Sequence, residues 1–237
     1  MNYIKVFGVL MIIVLCIAMI IAGAFTIFTT YINENDTHSL LEFPLLISEN
    51  DTRTLAEQGD AYAQAQLGYM YLHGEDTPQS YEQAAYWFRL AAEQDHTWAQ
   101  TNLGFMYYMG EGVPQNYEQS VYWYRLAARQ GYARAQANLG FMYAHGLGAP
   151  QSYEQAAYWY RLASEQGHTW AQTNLGFMHY IGQGVPQDYV QAVYWYRIAA
   201  EQGYARAQHN LGFMYEHGLG VPQDYGQAEY WYHLSTN

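Results

Sequence analysis

Two hydrophobic patterns organise the chain. Residues 6–28 form one apolar run of 23 residues without a charge. As a helix it rises about 34 Å, enough to cross a hydrocarbon core of about 30 Å. From residue 55 the pattern changes to short segments whose apolar positions recur three and four apart, as in helices with one buried face. These segments come in pairs, and the pairs repeat every 36 residues: Gly68, Gly104, Gly140, Gly176 and Gly212 keep that step, as do Trp87, Trp123, Trp159, Trp195 and Trp231. A period of that size marks stacked helical hairpins. The chain therefore divides into a span (1–28), a connector (29–54) and a repeat domain (55–237) of five copies.

Each copy reads as two helices. Helix A covers about residues 61–73 in the first copy, with Gly74 placed to end it in the left-handed conformation. A proline loop follows (Pro78, Pro114, Pro150, Pro186, Pro222). Helix B opens on Ser80, Asn116, Ser152, Asp188 or Asp224, each with Gln three residues later, the pattern of a capping box. Gly131, Gly167 and Gly203 close helix B, and Asp95 takes that place once. Inside helix A a glycine costs about 1 kcal/mol against alanine. It shares a stripe with Ala99, Gln100, Leu103 and Tyr107. That placement predicts a close approach of helix B, beneath Ser120, Trp123, Tyr124 and Ala127.

Charge refines the picture at the N-terminus. Lys5, the only lysine, precedes the apolar run, whereas Glu34, Asp36, Glu42, Glu49 and Asp51 follow it. A positive flank stays in the cytoplasm, so the repeats are expected outside it, in the periplasm if the source is bacterial. Ala22-Gly23-Ala24 also fits a signal-peptide site, and secretion after cleavage near Ala24 is the alternative. Beyond Lys5, 8 arginines face 21 acidic residues, a net charge of −13 with His neutral. That sign argues against nucleic acid as a partner.

Chemistry-bearing motifs are sparse. Cys16 is the single cysteine and lies in the apolar run, so no internal disulfide or thiolate metal site is expected. His73, His145 and His217 recur in alternate copies, about 20 Å apart at ordinary helix spacing. Zinc ligands must lie about 2 Å from one ion, so no metal site is expected. Gly110-Glu111-Gly112 and Gly218-Leu219-Gly220 lack the strand and third glycine of a phosphate loop and read as caps and turns. No nucleophile–base set stands out, and no cofactor is expected.

The repeated string [AT]-Q-x-[NQ]-L-G-x-M-[YH]-x-x-G, followed by V-P-Q-[ND]-Y-x-Q-A-x-x-W-Y-R-x-A-A-E-Q-G, resembles the Sel-1-like repeat, a relative of the tetratricopeptide repeat. The resemblance covers residues 55–237 and departs from the pattern at the end of the last copy. It implies an all-α fold, a right-handed α-solenoid of five helix-turn-helix repeats with the A helices on the concave side. It also implies a non-enzymatic adaptor at the cell envelope.

Opposite the packed stripe, helix A carries a second one, which supplies the candidate partner-binding residues. They are Trp98, Asn102 and Phe105 in copy two and Arg134, Asn138 and Phe141 in copy three. Copy four gives Trp170, Asn174 and Phe177, and copy five gives Arg206 and Asn210. An amide both donates and accepts hydrogen bonds and so suits an extended peptide backbone. Arg with Asn one turn away resembles the carboxylate-gripping pairs of tetratricopeptide grooves. Alternating Trp and Arg would suit a peptide with apolar and acidic anchors about 10 Å apart, three residues of extended chain. The alternative for Asn and Phe is that they stitch neighbouring A helices together. The expected partner is a protein or an extended peptide, with membrane contact through residues 6–28. Self-association through the unfinished last copy (Tyr230, Trp231, Leu234) is a further possibility. A glycan or cell-wall module, with Trp98 and Trp170 stacking on sugar rings, is the runner-up reading, and a wall-active or β-lactam-cleaving hydrolase is third.

Overall fold

The structure, a computed structural model, describes residues 49–236. The apolar run at 6–28 lies outside the described residues. Among those described, no helix is long and apolar enough to cross a membrane. The described chain is an all-helical repeat solenoid of eleven helices. They are α1 (Glu49–Glu57), α2 (Ala61–His73), α3 (Tyr81–Ala92), α4 (Thr97–Met109), α5 (Tyr117–Arg129), α6 (Ala133–His145), α7 (Tyr153–Glu165), α8 (Thr169–Ile181), α9 (Tyr189–Glu201), α10 (Ala205–His217) and α11 (Tyr225–Leu234). The even-numbered helices are the A helices. Each packs most closely on the B helix that follows it and also on the one before.

The mid-helix glycine is explained by an aromatic ring. A Cβ added at Gly68, Gly104, Gly140, Gly176 or Gly212 would lie 2.8–3.0 Å from a ring carbon of Phe88, Tyr124, Tyr160, Tyr196 or Tyr232. It would also stand 3.2–3.3 Å from the carbonyl oxygen of Ser120, Ala156, Ala192 or Ala228 in the later four copies. The four inner rings are at most 3% exposed. Burying such a side chain contributes about 1.5–3 kcal/mol, which outweighs the glycine's cost of about 1 kcal/mol. Helix B does approach closely, but its ring fills the space.

A second glycine couples consecutive copies. Gly112, Gly148, Gly184 and Gly220 have φ of 67–71°. A Cβ on any of them would overlap the carbonyl of Tyr81, Tyr117, Tyr153 or Tyr189, at the start of the preceding B helix. The Gly-x-Gly turns are caps, as their sequence implies, and they are also joints between repeats.

Polar ladders complete the inter-repeat contacts. The buried Gln64, Gln100, Gln136, Gln172 and Gln208 each donate to a carbonyl eight residues earlier, at the end of the preceding B helix, at 3.1 Å. The first four accept in turn from Gln94, Gln130, Gln166 and Gln202, at 2.7–2.9 Å. Arg53, Arg89, Arg125 and Arg197 donate to the hydroxyls of Tyr71, Tyr107, Tyr143 and Tyr215, eighteen residues on, at 2.8–3.1 Å. In copy four His179 stands where the others have that tyrosine.

Two details of the expected boundaries change. Every B-helix cap side chain accepts the backbone N–H three residues on. The cap residue's own N–H, however, is taken by a carbonyl of helix A (Ser80 N–H to Tyr71 O, 2.9 Å) rather than by the Gln side chain. Half the box is local and half is tertiary. Helix α1 begins within the stretch read as connector and packs as a shortened B helix: Ala56 is buried and its carbonyl receives Gln64.

Candidate functional site

The stripe of A-helix residues opposite the glycines remains partly open to solvent. Its aromatic members touch rings of the adjoining copies, and these contacts divide the face into two kinds of seam.

The first kind is closed. Trp98 is half-buried, edge-on to Phe88 at 5.6 Å and tilted against Tyr69 of the preceding A helix at 5.7 Å. Trp170 repeats this, edge-on to Tyr160 and tilted against Phe141, both at 5.9 Å. Phe141 also meets Tyr108 at 6.1 Å and His145 at 4.1 Å. The Trp98 and Trp170 contacts stitch copy one to copy two and copy three to copy four, whereas Tyr108 meets Phe141 across copies two and three, as Tyr180 meets Phe213 across copies four and five, at 6.1 Å.

The second kind, crossed by Tyr108 or Tyr180, is open at its phenylalanine. The residue 29 positions after Tyr69 or Phe141 is a tryptophan, but 29 after Phe105 or Phe177 it is Arg134 or Arg206. With no indole to cover them, Phe105 and Phe177 stay 38% and 41% exposed. Among the described residues no carboxylate lies within ion-pair distance of Arg134 or Arg206, and neither has a hydrogen-bond partner. Each open seam thus offers an apolar ring and an unpaired guanidinium in a strongly acidic protein.

Buried phenols stand behind the arginines. Burial raises the Tyr124 hydroxyl well above its ordinary pKa, and Arg134 and the Asn138 amide beside it act in the opposite sense. Burial likewise raises Tyr160 and Tyr196, with Arg206 countering in both. Held protonated, these phenols do not neutralise the arginines. Asn102 and Asn174 donate to the carbonyls of Trp98 and Trp170, four residues back, at 2.9 and 2.8 Å. Their amide oxygens keep acceptor capacity.

Two further features lie away from this stripe, a row on the B helices and a cleft at the last copy. On the B helices, Tyr86, Tyr122, Tyr158, Tyr194 and Tyr230 are 51–55% exposed, each edge-on to the adjacent tryptophan. The Tyr-Trp dipeptide in every copy is the sequence signal for this row. At the last copy, a cleft of about 800 Å³ is lined by residues including Glu216, Glu229, Tyr232 and His233. The positions of His209 and Glu229 are filled by buried Ala, Thr or Val in the four other copies. Tyr232, pushed up to about 12 by burial and by its bond to Glu216, donates to that carboxylate at 2.6 Å. His209 and Glu229 depart from the repeat's own columns, which is their signal in the sequence. Among the described residues no group of His, Cys, Asp and Glu could hold a metal ion.

The model of the Sel1 repeat matches residues 61–96, 99–132, 133–168, 171–204 and 205–237. The chain belongs to the Sel1 repeat family. Two solved Sel1-type structures are similar along most of its length. One is a protective antigen of uropathogenic Escherichia coli strains that displays this fold, 43% identical with a TM-score of 0.78. The match covers 81% of this chain and 41% of that one, so the present chain spans about two fifths of the antigen's length. The other is a Sel1 repeat protein from Oxalobacter formigenes, 35% identical with a TM-score of 0.73, covering 81% of this chain and 74% of that one. A Sel1 repeat protein from Klebsiella pneumoniae, 21% identical with a TM-score of 0.51, shares the fold. No curated protein matches the chain. Sel1 repeats generally mediate protein–protein interaction and their scaffold is typically non-catalytic.

Proposed function

We propose that this Sel1 repeat chain is a non-enzymatic interaction scaffold of the cell envelope that binds an extended segment of a partner protein along its A-helix face. In this reading the superhelix makes that face concave. Residues 6–28 tether the chain, and the repeats work outside the cytoplasm. One observation carries the reading: Arg134 and Arg206 are unpaired beside the exposed rings of Phe105 and Phe177, at the same position two repeats apart. Apolar contact and an unpaired cation next to amides are what an acidic, partly apolar peptide needs. Asn138 and Asn210 flank the arginines, and Asn102 and Asn174 lie one turn before the exposed rings. Trp98, Phe141 and Trp170 line the closed seams between. The glycan reading relies on Trp98 and Trp170 as free platforms, and it is weakened because both rings are half-buried against other aromatics. The carboxylates at the last copy weigh against self-association there.

The test is site-specific photo-crosslinking in native cells. A photoreactive side chain at position 105 or 177 should give one shared adduct, and one at position 158 on the B-helix row should not. Arg134→Ala with Arg206→Ala should abolish the adduct. An adduct from 158 alone, or one indifferent to the arginines, would place the partner elsewhere.

A further inference from the structure

We infer that the two open seams are read together by a single extended strand carrying two acidic side chains six residues apart. The inference rests on the peptide-binding reading of this face and adds a register to it.

The seams are equivalent in composition, Phe105 with Arg134 and Phe177 with Arg206, and lie two repeats apart. Between them the closed seam of Phe141 and Trp170 offers rings and no charge. Adjacent helices pack about 8–10 Å apart, so two steps along the A helices span about 16–20 Å. An extended chain advances about 3.3 Å per residue, which sets about five or six residues between the anchors. Parity decides between them. Side chains on a strand alternate in direction, so residues five apart point to opposite sides and residues six apart point the same way. Four residues reach only about 13 Å and fall short.

The acid assignment follows from charge. Both guanidiniums lack a carboxylate among the described residues, and a carboxylate is the group that uses the planar fork best. The second and fourth residues after the first acid face the protein over the closed seam, where Phe141 and Trp170 favour apolar side chains. The strand therefore reads acidic–x–apolar–x–apolar–x–acidic. This replaces the 10 Å alternation of apolar and acidic anchors expected from sequence, because the tryptophans are engaged within the closed seams. Two linked anchors also bind far more tightly than either alone when the linker matches the span.

The experiment is fluorescence anisotropy of the full chain in detergent, with labelled peptides of one composition whose two Glu residues stand four, five, six, seven or eight apart. The six-residue spacing should bind at least tenfold more tightly than five or seven. Either Arg134→Ala or Arg206→Ala should reduce it to the level of a peptide with one Glu, whereas Arg134→Lys should retain part of the gain. Equal affinities at all spacings, all lost in the double Arg variant, would overturn the register and leave the peptide-binding face standing. Binding that ignores both arginines, or no binding at any spacing, would overturn the register and the reading beneath it. Thermal melts of each variant separate lost binding from lost fold.

Discussion

Substituting alanine for Gly104 should destabilise the protein, although alanine is the better helix former by about 1 kcal/mol. The added methyl would stand 2.8 and 2.9 Å from two ring carbons of Tyr124 and 3.3 Å from the Ser120 carbonyl oxygen. Real carbon contacts do not come that close, so the ring or helix α5 must move. The ring cannot move freely, because Tyr124 is 2% exposed and packs among Val121, Ala127, Leu139 and Met142 of its own and the next copy. Overpacking of this kind costs about 1–3 kcal/mol, so after the propensity gain the net loss is about 1 kcal/mol. Gly104→Leu should lose more than about 2 kcal/mol. Gly226 supplies the control: it is exposed in the first turn of α11, and a Cβ there meets only the Asp224 side chain, at 3.3 Å. Gly226→Ala should therefore be neutral or stabilising by up to about 1 kcal/mol. Urea and thermal melts followed by circular dichroism give the comparison. The slope must be checked against wild type, since a repeat array can lose two-state behaviour. Stabilisation by Gly104→Ala would refute the ring-packing account.

Gln172→Leu removes two hydrogen bonds of a buried side chain, the one Gln172 donates to the Ser164 carbonyl and the one it accepts from Gln202, and should cost about 1–3 kcal/mol, read in the same melts. Burial holds the His179 imidazole below its ordinary pKa of 6.5. The unfolded chain then binds more protons, so stability should fall as pH drops below 6.5 toward the folded value; His179→Tyr should remove that loss and give Arg161 a phenol to bond. Arg134→Ala and Arg206→Ala should leave stability within about 0.5 kcal/mol while weakening partner binding and its salt sensitivity. A protease added to intact spheroplasts should digest the repeats, and full protection would reverse the proposed topology.

The repeat made much of this fold readable in advance. Helix A at residues 61–73 with Gly74 as its cap, and the B-helix caps from Ser80 to Asp224, are found where local rules put them. These features depend on neighbours within a few residues. Contacts across copies were less legible. Gln100 is visible as a member of the packed stripe, but its bonds to Ala92 and Gln130 require the relative height of three helices. Helix α1 was hidden because Asp51 and Thr52 stand where later copies carry Trp and Phe or Tyr. The alternation of Trp and Arg is plain in the sequence. That the tryptophans close their seams while the arginines leave Phe105 and Phe177 open depends on which residue 29 positions on reaches each ring.

The most direct test of the binding face is a side-chain NMR titration of the arginines. The chain has only 8, and Arg53, Arg89, Arg125 and Arg197 are tied to tyrosine hydroxyls. On addition of the peptide with acids six residues apart, the Nε–H signals of Arg134 and Arg206 should shift together, with one binding isotherm, while those four stay in place. Shifts confined to the tyrosine-bound arginines, or saturation with Arg134 and Arg206 unmoved, would contradict the account.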